Sequence, residues 1–537
     1  MVMKKIYSFL FVPFAMLAMF ACTPFDSINT DPDNPTDLDP DLLLATVEFY
    51  PGAEWQEQNR YFIYPAGFMN QWSGAWSTVE YGGCGQKHSN YHERLWATYF
   101  PEGIRYTTDI IKRTKDDPEA VNICSMARVL KVLLGQRLTD YYGDIPWSEA
   151  GLGYYDNNLK PKYDTQESIY HDFLKELKEA SAAFDESKPL SQHDFIYSGD
   201  VVRWRKFANT LRLRVAMRLV KVDPELSRSE AEAAIAAGIF DSTEDVAMVK
   251  FENIRNGSSG KGRGNAVANY LYGNNDANGS EIWLTSELVK ELEDASDPRL
   301  LLYGEVFLND ASRTDITAQV RAQRSCFAGM CVQAQRYSYS QNTAYPSDNS
   351  PLTVSVGGKD LLLSLKETRL RPSHYITAFD SPYIYMSYAE GEFLAAEAAA
   401  RGWSVEGTAK SHYDAAVRAA MDQWRLFGAT IPVSQVNAYL AANPFQEASA
   451  LKQINTQLWL LHFLDPLETW SNWRRSGYPV LIFHNYEPSK NQSNGTFPRR
   501  MMYPLEEQLK NHTNYAEAVQ RMGGTDDWTT RVWWDKE

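Results

Sequence analysis

The sequence predicts a mostly α fold of paired helices framing a loop-rich region that carries short strands. Apolar residues recur at three- and four-residue spacing through 93–240 and again through 383–465, the period of a helix that buries one face. Alanine recurs on those stripes, which permits close antiparallel pairing. Between the two blocks, residues 241–380 are dense in glycine, asparagine and serine, as befits long loops around short elements.

At the start of the chain, Lys4 and Lys5 precede an uncharged apolar run at 6–20, and Ala21 stands before Cys22. That order is a secretory signal peptide over 1–21. A cysteine at the cut point predicts lipoprotein processing, with lipid on Cys22. The run is shorter than the ~20 residues of a spanning helix, and Pro13 interrupts it. Phe20 departs from a strict lipobox, which prefers a small residue there. Loss of Lys4 and Lys5, with no acid, moves the formal charge from −15 to −17. That balance argues against nucleic acid or an anionic membrane surface as ligand. No later segment approaches a spanning length, so membrane contact is assigned to the Cys22 lipid. Residues 22–40 read as a linker, since Asn29-Thr-Asp-Pro-Asp-Asn-Pro-Thr36 is rich in turn formers, and 41–537 as one body.

The helices follow in order. Ile123, Ala127, Leu130, Leu134, Leu138 and Tyr141 form one stripe, and Ile169, Phe173, Leu177, Ala180 and Phe184 the next. Asp164 with Glu167 makes a capping-box pattern at the start of the second. Trp204, Phe207, Leu211, Val215 and Leu219 form a third. Beyond the insertion, Met386, Ala389, Phe393, Ala396 and Ala400 define a helix ending at Gly402. Tyr413, Ala416, Ala420 and Trp424 follow, then Leu451, Ile454, Leu458 and Leu461. Such pairs resemble tetratricopeptide hairpins, although no tandem period near ~34 residues is present. Residues 478–537 form a second irregular region.

Enzymatic motifs are lacking: there is no nucleophile elbow, H-E-x-x-H, Walker A or dinucleotide fingerprint. Gly260-Lys-Gly-Arg-Gly264 lacks the phosphate-loop order and reads as a surface loop. Asn274-x-Asp276-x-Asn278-Gly279 resembles the first half of a calcium loop, but Thr285 stands where the bidentate acid belongs. An Asx-turn cluster is the preferred reading, and no cofactor or metal is expected. His88 and His92, beside Glu93, lack a third zinc ligand nearby and read as polar packing at a helix start. With 68 acids, coincidental carboxylate pairs are unavoidable, so an acid-rich helical glycosidase stays open, with Asp144 as its sharpest candidate. Cys84, Cys124, Cys326 and Cys331 are too few for a disulfide scaffold. Cys326 and Cys331 either close a small loop or remain buried thiols.

Aromatics are the compositional outlier, with 15 Trp, 31 Tyr and 24 Phe. Trp72, Trp76, Tyr81 and Tyr91 surround Gly82-Gly-Cys-Gly85, with Asn70, Gln71 and Asn90 close by. Tyr270, Tyr272 and Trp283 flank the Asn/Gly cluster, and Tyr337, Tyr339 and Tyr345 follow. Aromatic faces beside amides suit sugar rings, whose C–H face stacks while the amides bond hydroxyls. The candidate ligand residues are therefore Trp72, Trp76, Tyr81, Tyr272, Trp283 and Tyr337. More than half of such rings are expected to pack under loops instead.

Arg137-Leu-Thr-Asp-Tyr-Tyr-Gly-Asp-Ile-Pro-Trp-Ser-Glu-Ala150 is very similar to a segment of the SusD/RagB family of outer-membrane lipoproteins. In family order follow Pro161-Lys-Tyr-Asp-Thr-Gln-Glu-Ser-Ile-Tyr170, Ser198-Gly-Asp200 with Trp204, and Ala208-Asn-Thr-Leu-Arg-Leu-Arg214. Asp297-Pro-Arg299, Tyr388-Ala-Glu390, Ala396-Glu-Ala398 and Arg401-Gly-Trp403 come next. Trp473-Arg-Arg-Ser-Gly-Tyr-Pro479, Arg499-Arg500 with Tyr503-Pro504, and Trp533-Trp-Asp535 close the series. The resemblance implies four tetratricopeptide-like helix pairs with an irregular subdomain, and a non-enzymatic role. It implies an outer-membrane lid on a SusC-like TonB-dependent transporter that captures an oligosaccharide, or sometimes a peptide, at the cell exterior. The motifs are scaffold signatures, so only the location of a ligand site carries over: the loop before the first helix pair and the mid-chain insertion. Thr23-Pro-Phe25 stands before Asp26, a departure from the acids that follow the lipid cysteine in surface-exported members.

Overall fold

The computed structural model describes residues 38–54, 63–74, 78–83, 85–256, 262–273, 282–307, 324–325, 352–356, 359–363, 370–483 and 488–537. Among these the architecture is mostly helical. α1 (Pro40–Ala53) leads into α2 (Arg105–Thr114) and α3 (Val121–Tyr142), then α4 (Gln166–Ala183), α5 (Val201–Arg218) and α6 (Pro224–Ala236). α7 (Ala266–Gly273) and α8 (Ser286–Asp294) belong to the insertion. α9 (Tyr388–Ala400), α10 (Ala409–Asp422), α11 (Val433–Ala442), α12 (Ala450–Leu461) and α13 (Pro466–Ser476) form the second block, and α14 (Leu505–Lys510) and α15 (His512–Arg521) are the last helices. Successive helices pack as pairs, α2 with α3, α4 with α5, α9 with α10 and α12 with α13, and the pairs are joined through α3 with α4, α5 with α6 and α9 with α12. No helix among the described residues is long and apolar enough to cross a membrane.

Local chemistry sets the helix ends. Asp200 accepts from Val202 and Arg203 N–H at the start of α5, and Asp223 precedes Pro224 at the start of α6. Thr408 and Ser411 make a reciprocal capping box at α10. Each cap satisfies donors that lack an intrahelical partner. The cap of α4 differs from the sequence expectation. Thr165 takes the Ser168 N–H, whereas Asp164 accepts from the Trp147 and Ser148 N–H groups at 3.1 and 2.8 Å. Asp164 is committed elsewhere because its strand, Tyr163–Asp164, pairs antiparallel with Ile145–Pro146.

Arginines and acids of the motifs and of the helices around them lie inside, where the helix pairs meet. Arg214 grips Glu390 at 2.6 and 2.7 Å, and Arg218 reaches both oxygens of Glu468 at 2.7 and 2.8 Å. Arg137 bonds Asp465 at 2.7 Å. Apart from half-buried Asp465, these groups are buried. Removing one partner of such a pair strands the other charge in a low-dielectric interior, so the motifs specify how the two helical blocks lock together.

Strands are short and confined to pairs or a triplet. Trp72–Gly74 pairs antiparallel with Ile282–Leu284, Ala247–Val249 with Tyr383–Met386, and Leu352–Val356 with Lys359–Leu363.

Candidate functional site

The two loops that the sequence marks by their aromatics meet in the fold. In the Trp72–Gly74 ribbon, Trp72 lies opposite Leu284, Ser73 opposite Trp283 and Gly74 opposite Ile282. Thr285 secures the junction, its N–H donating to the Gln71 carbonyl at 3.1 Å and its hydroxyl to the Asn70 carbonyl. The backbone alone thus brings the Trp283 position beside the first loop.

Below the ribbon, a tight turn presents three rings. Tyr81, His88 and Tyr91 lie with centroids 4.6 to 5.2 Å apart, each half-buried. The turn demands glycine, since a Cβ at Gly82 would sit 2.1 Å from the Ile63 carbonyl oxygen, and Gly85 has φ +67°. Lys87 sews the loop to the C-terminal region, donating its N–H to Gln492 and its ammonium to Asp527, both at 2.7 Å. Exposed Ile482 stands at the neighbouring Asn70, whose amide donates to the Ile482 carbonyl. Half-buried rings beside exposed apolar side chains form a surface on which a ring-shaped ligand can stack.

Several sequence expectations need correction. Trp72 is fully buried, stacked on Phe463 at 4.3 Å and donating its indole N–H to the Phe463 carbonyl at 3.1 Å. Its ring is a core element with no face toward a ligand. Asn70 and Gln71 are buried too, and their amide N–H groups serve the Ile482 and Trp459 carbonyls. They fix the loop from within, and neither side chain is exposed to a ligand. Tyr270 is buried as well.

Tyr272 is half-buried, edge-on to Phe379 at 5.0 Å with Arg255 over its ring at 5.1 Å. Trp76 and Tyr337, together with Asn274, Asp276 and Asn278 of the calcium-like segment, lie outside the described residues, as do Cys84, Cys326 and Cys331. Cys124 is a buried free thiol.

The remaining chemical candidates resolve into structure. Asp144 accepts from the Gln166 N–H at 2.9 Å and from Arg521 at 2.8 Å, a clasp between the first block and α15. His92 is buried beside the His88 carbonyl at 3.0 Å, and burial lowers its pKa to about 4. Among the described residues no three His, Cys, Asp or Glu side chains gather as a metal site.

A second concave surface escaped sequence reasoning. A groove of about 1040 Å³ runs between α2, the 153–156 turn and α14, lined by Phe100, Tyr106, Tyr154, Tyr155 and Leu159. The signal was available: an aromatic pair, Tyr154-Tyr155, bracketed by Gly151, Gly153 and Asn157, directly after the longest family-like segment.

Four helix pairs with an irregular subdomain define a tetratricopeptide-type helical scaffold. A profile of the SusD-like family described as starch-binding associating with outer membrane matches residues 56–504. Among solved structures, a chitin-binding protein is 33% identical over 93% of this chain and 100% of its own, with a TM-score of 0.77. A Bacteroidetes SusD-like protein, AC2a, is 31% identical with the same coverage and a TM-score of 0.82. A SusD homologue from Bacteroides uniformis, 23% identical over 93% of this chain and 99% of its own, shares the fold with a TM-score of 0.70. No curated protein matches the sequence significantly. The chain belongs to the SusD-like family.

Proposed function

We propose that this protein is a non-enzymatic, lipid-anchored lid of the outer membrane, tethered through Cys22. It captures an oligosaccharide at the cell exterior and passes it to a SusC-like TonB-dependent transporter. The observation that carries the reading is the junction of Trp72–Gly74 with Ile282–Leu284, which joins the two aromatic loops of a SusD-like scaffold next to the Tyr81, His88 and Tyr91 rings. Tyr81, Tyr272 and Trp283, with Trp76 and Tyr337, are the ligand-contacting set. Neutral glycan is preferred to peptide because aromatic faces, rather than free charges, dominate these loops. The name of the chitin-binding relative makes a chito-oligosaccharide the first ligand to test.

Calorimetry and a glycan array on the purified protein test the reading. Saturable binding without turnover is expected, at roughly micromolar to millimolar affinity, about −8 to −4 kcal/mol, since the ligand must be released to the transporter. Cleavage of the sugar, or binding of peptides alone, overturns it.

A further inference from the structure

We propose that an interior cavity behind Phe463 is a second binding site, separate from the loop surface, for one neutral polyhydroxy molecule no larger than a single sugar ring.

The cavity lies where the strand Tyr383–Met386, the end of α10 and the connection between α12 and α13 meet. Tyr303, Trp424 and Phe463 wall it with rings in T-shaped contact, Tyr303 lying 5.3 Å from Trp424 and 4.5 Å from Phe463. The Tyr303 hydroxyl donates to the Leu460 carbonyl at 2.7 Å, so this wall is fixed before anything enters. Phe463 is also the ring on which Trp72 stacks, which sets the cavity behind the aromatic loops rather than among them. Gln423, Phe427 and Leu464 are half-buried lining residues, and the route in runs past them.

Polar groups with nothing to bond point to a ligand. His462 is 7% exposed and Arg299 1%, and both line the cavity. Arg299 commits Nε and Nη2 to Asp297 and Gln457, while its Nη1 has no protein partner. His462 sets Nε2 3.2 Å from Glu390 and leaves Nδ1 unpartnered. Gln423 adds a buried carbonyl oxygen, Oε1, that no donor meets. A buried polar group is costly to leave unbonded, and three of them around one cavity describe a molecule that both donates and accepts.

Charge and size narrow its chemistry. The ionic groups of the wall already have partners: Arg214 holds Glu390, Arg299 holds Asp297, and Asp465 takes Arg137. A charged ligand would enter without a counter-ion. Hydroxyls, by contrast, can meet the unpartnered groups while C–H faces lie on the rings. The cavity offers about 70 Å³ to the centres of water-sized molecules. At about 15 Å³ for each water, that is room for roughly five waters or one small ring, and too little for an oligosaccharide.

The full-length protein is titrated with glycerol, xylose and glucose by calorimetry, and its crystals are grown with each. At least one of the three should bind saturably, with density against Trp424, His462 and Arg299. Gln423→Ala deletes the unpartnered carbonyl and should weaken that binding by up to about tenfold. Ala420→Leu fills the cavity from α10 and should abolish it. Both variants should keep the oligosaccharide affinity of the wild type, and Tyr81→Ala should keep the small-molecule site. Binding of none of the three, ordered water only in the cavity, wild-type binding in both Gln423→Ala and Ala420→Leu, or loss of the small molecule in Tyr81→Ala each overturns the site. None of these results bears on oligosaccharide capture at the loops, which is read from oligosaccharide affinity alone.

Discussion

Arg475 and Glu397 face one another in the core through paired contacts, Nη1 to Oε1 at 2.6 Å and Nη2 to Oε2 at 2.8 Å. Arg401 adds a third cationic contact to the same carboxylate at 2.7 Å. Burial alone would raise the Glu397 pKa, but Arg475 and then Arg401 outweigh it and hold the group at about 2. The pair joins α13 to α9, and both residues belong to segments that resemble the family motifs.

The first prediction follows from that sign. A carboxylate with its folded pKa below its ordinary value contributes stability above pH 4.5 that is lost as pH falls toward 2. Glu397→Gln should flatten the acid dependence in that window, and Arg475→Met should destabilise by about 3–5 kcal/mol. Urea unfolding across pH checks both, and an unchanged pH profile in Glu397→Gln refutes the assignment.

Trp72 and Tyr81 should separate by phenotype. Trp72→Ala opens a cavity in the core and should cost about 3–5 kcal/mol. Trp72→Phe should bind oligosaccharide as the wild type does. Tyr81→Ala should keep its melting temperature and lose affinity by up to about tenfold, the size of one stacking contact. Calorimetry with thermal melts decides it, and equal affinity loss in Trp72→Phe and Tyr81→Ala goes against it.

His92 provides a second acid-sensitive point. Its folded pKa, near 4 through burial, lies below the ordinary value of 6.5, so the unfolded chain takes up the proton first. Stability is then full above pH 6.5 and declines as pH falls toward 4. His92→Gln should remove that slope without touching the lower window of Glu397. Native-state hydrogen exchange across pH reads the effect, and the same slope in the variant contradicts it.

Anchoring is tested at one atom. Cys22→Ala should leave unlipidated precursor or soluble protein in place of membrane-bound protein. Metabolic lipid labelling with membrane fractionation measures this, and unchanged labelling of the variant rejects Cys22 as the attachment point.

Much of the helical frame was legible along the chain. The stripes from Ala127 to Tyr141 and from Trp204 to Val215 are buried in α3 and α5, with Ile123 half-buried, because helical period is a local property that three- and four-residue spacing records directly. The end of α9 near Gly402, at φ +76°, was equally readable, since a left-handed residue after a helix favours glycine. The family-like arginines and glutamates could be listed from the sequence, but their pairing could not.

Tertiary structure decided the site. Sequence places Trp72, Asn70 and Gln71 in an aromatic and amide-rich loop; only the approach of Phe463, Trp459 and Ile482 turns that ring and those amides inward. Asp164 lost the helix cap to Thr165 because a strand pairing with Ile145 claimed it. The ribbon that brings the Trp283 position to Ser73, and the groove that gathers Tyr154, Leu159 and α14, join segments remote in the chain. Composition and periodicity report what each segment can bury or expose, whereas the face that ends inside depends on neighbours supplied from elsewhere in the sequence.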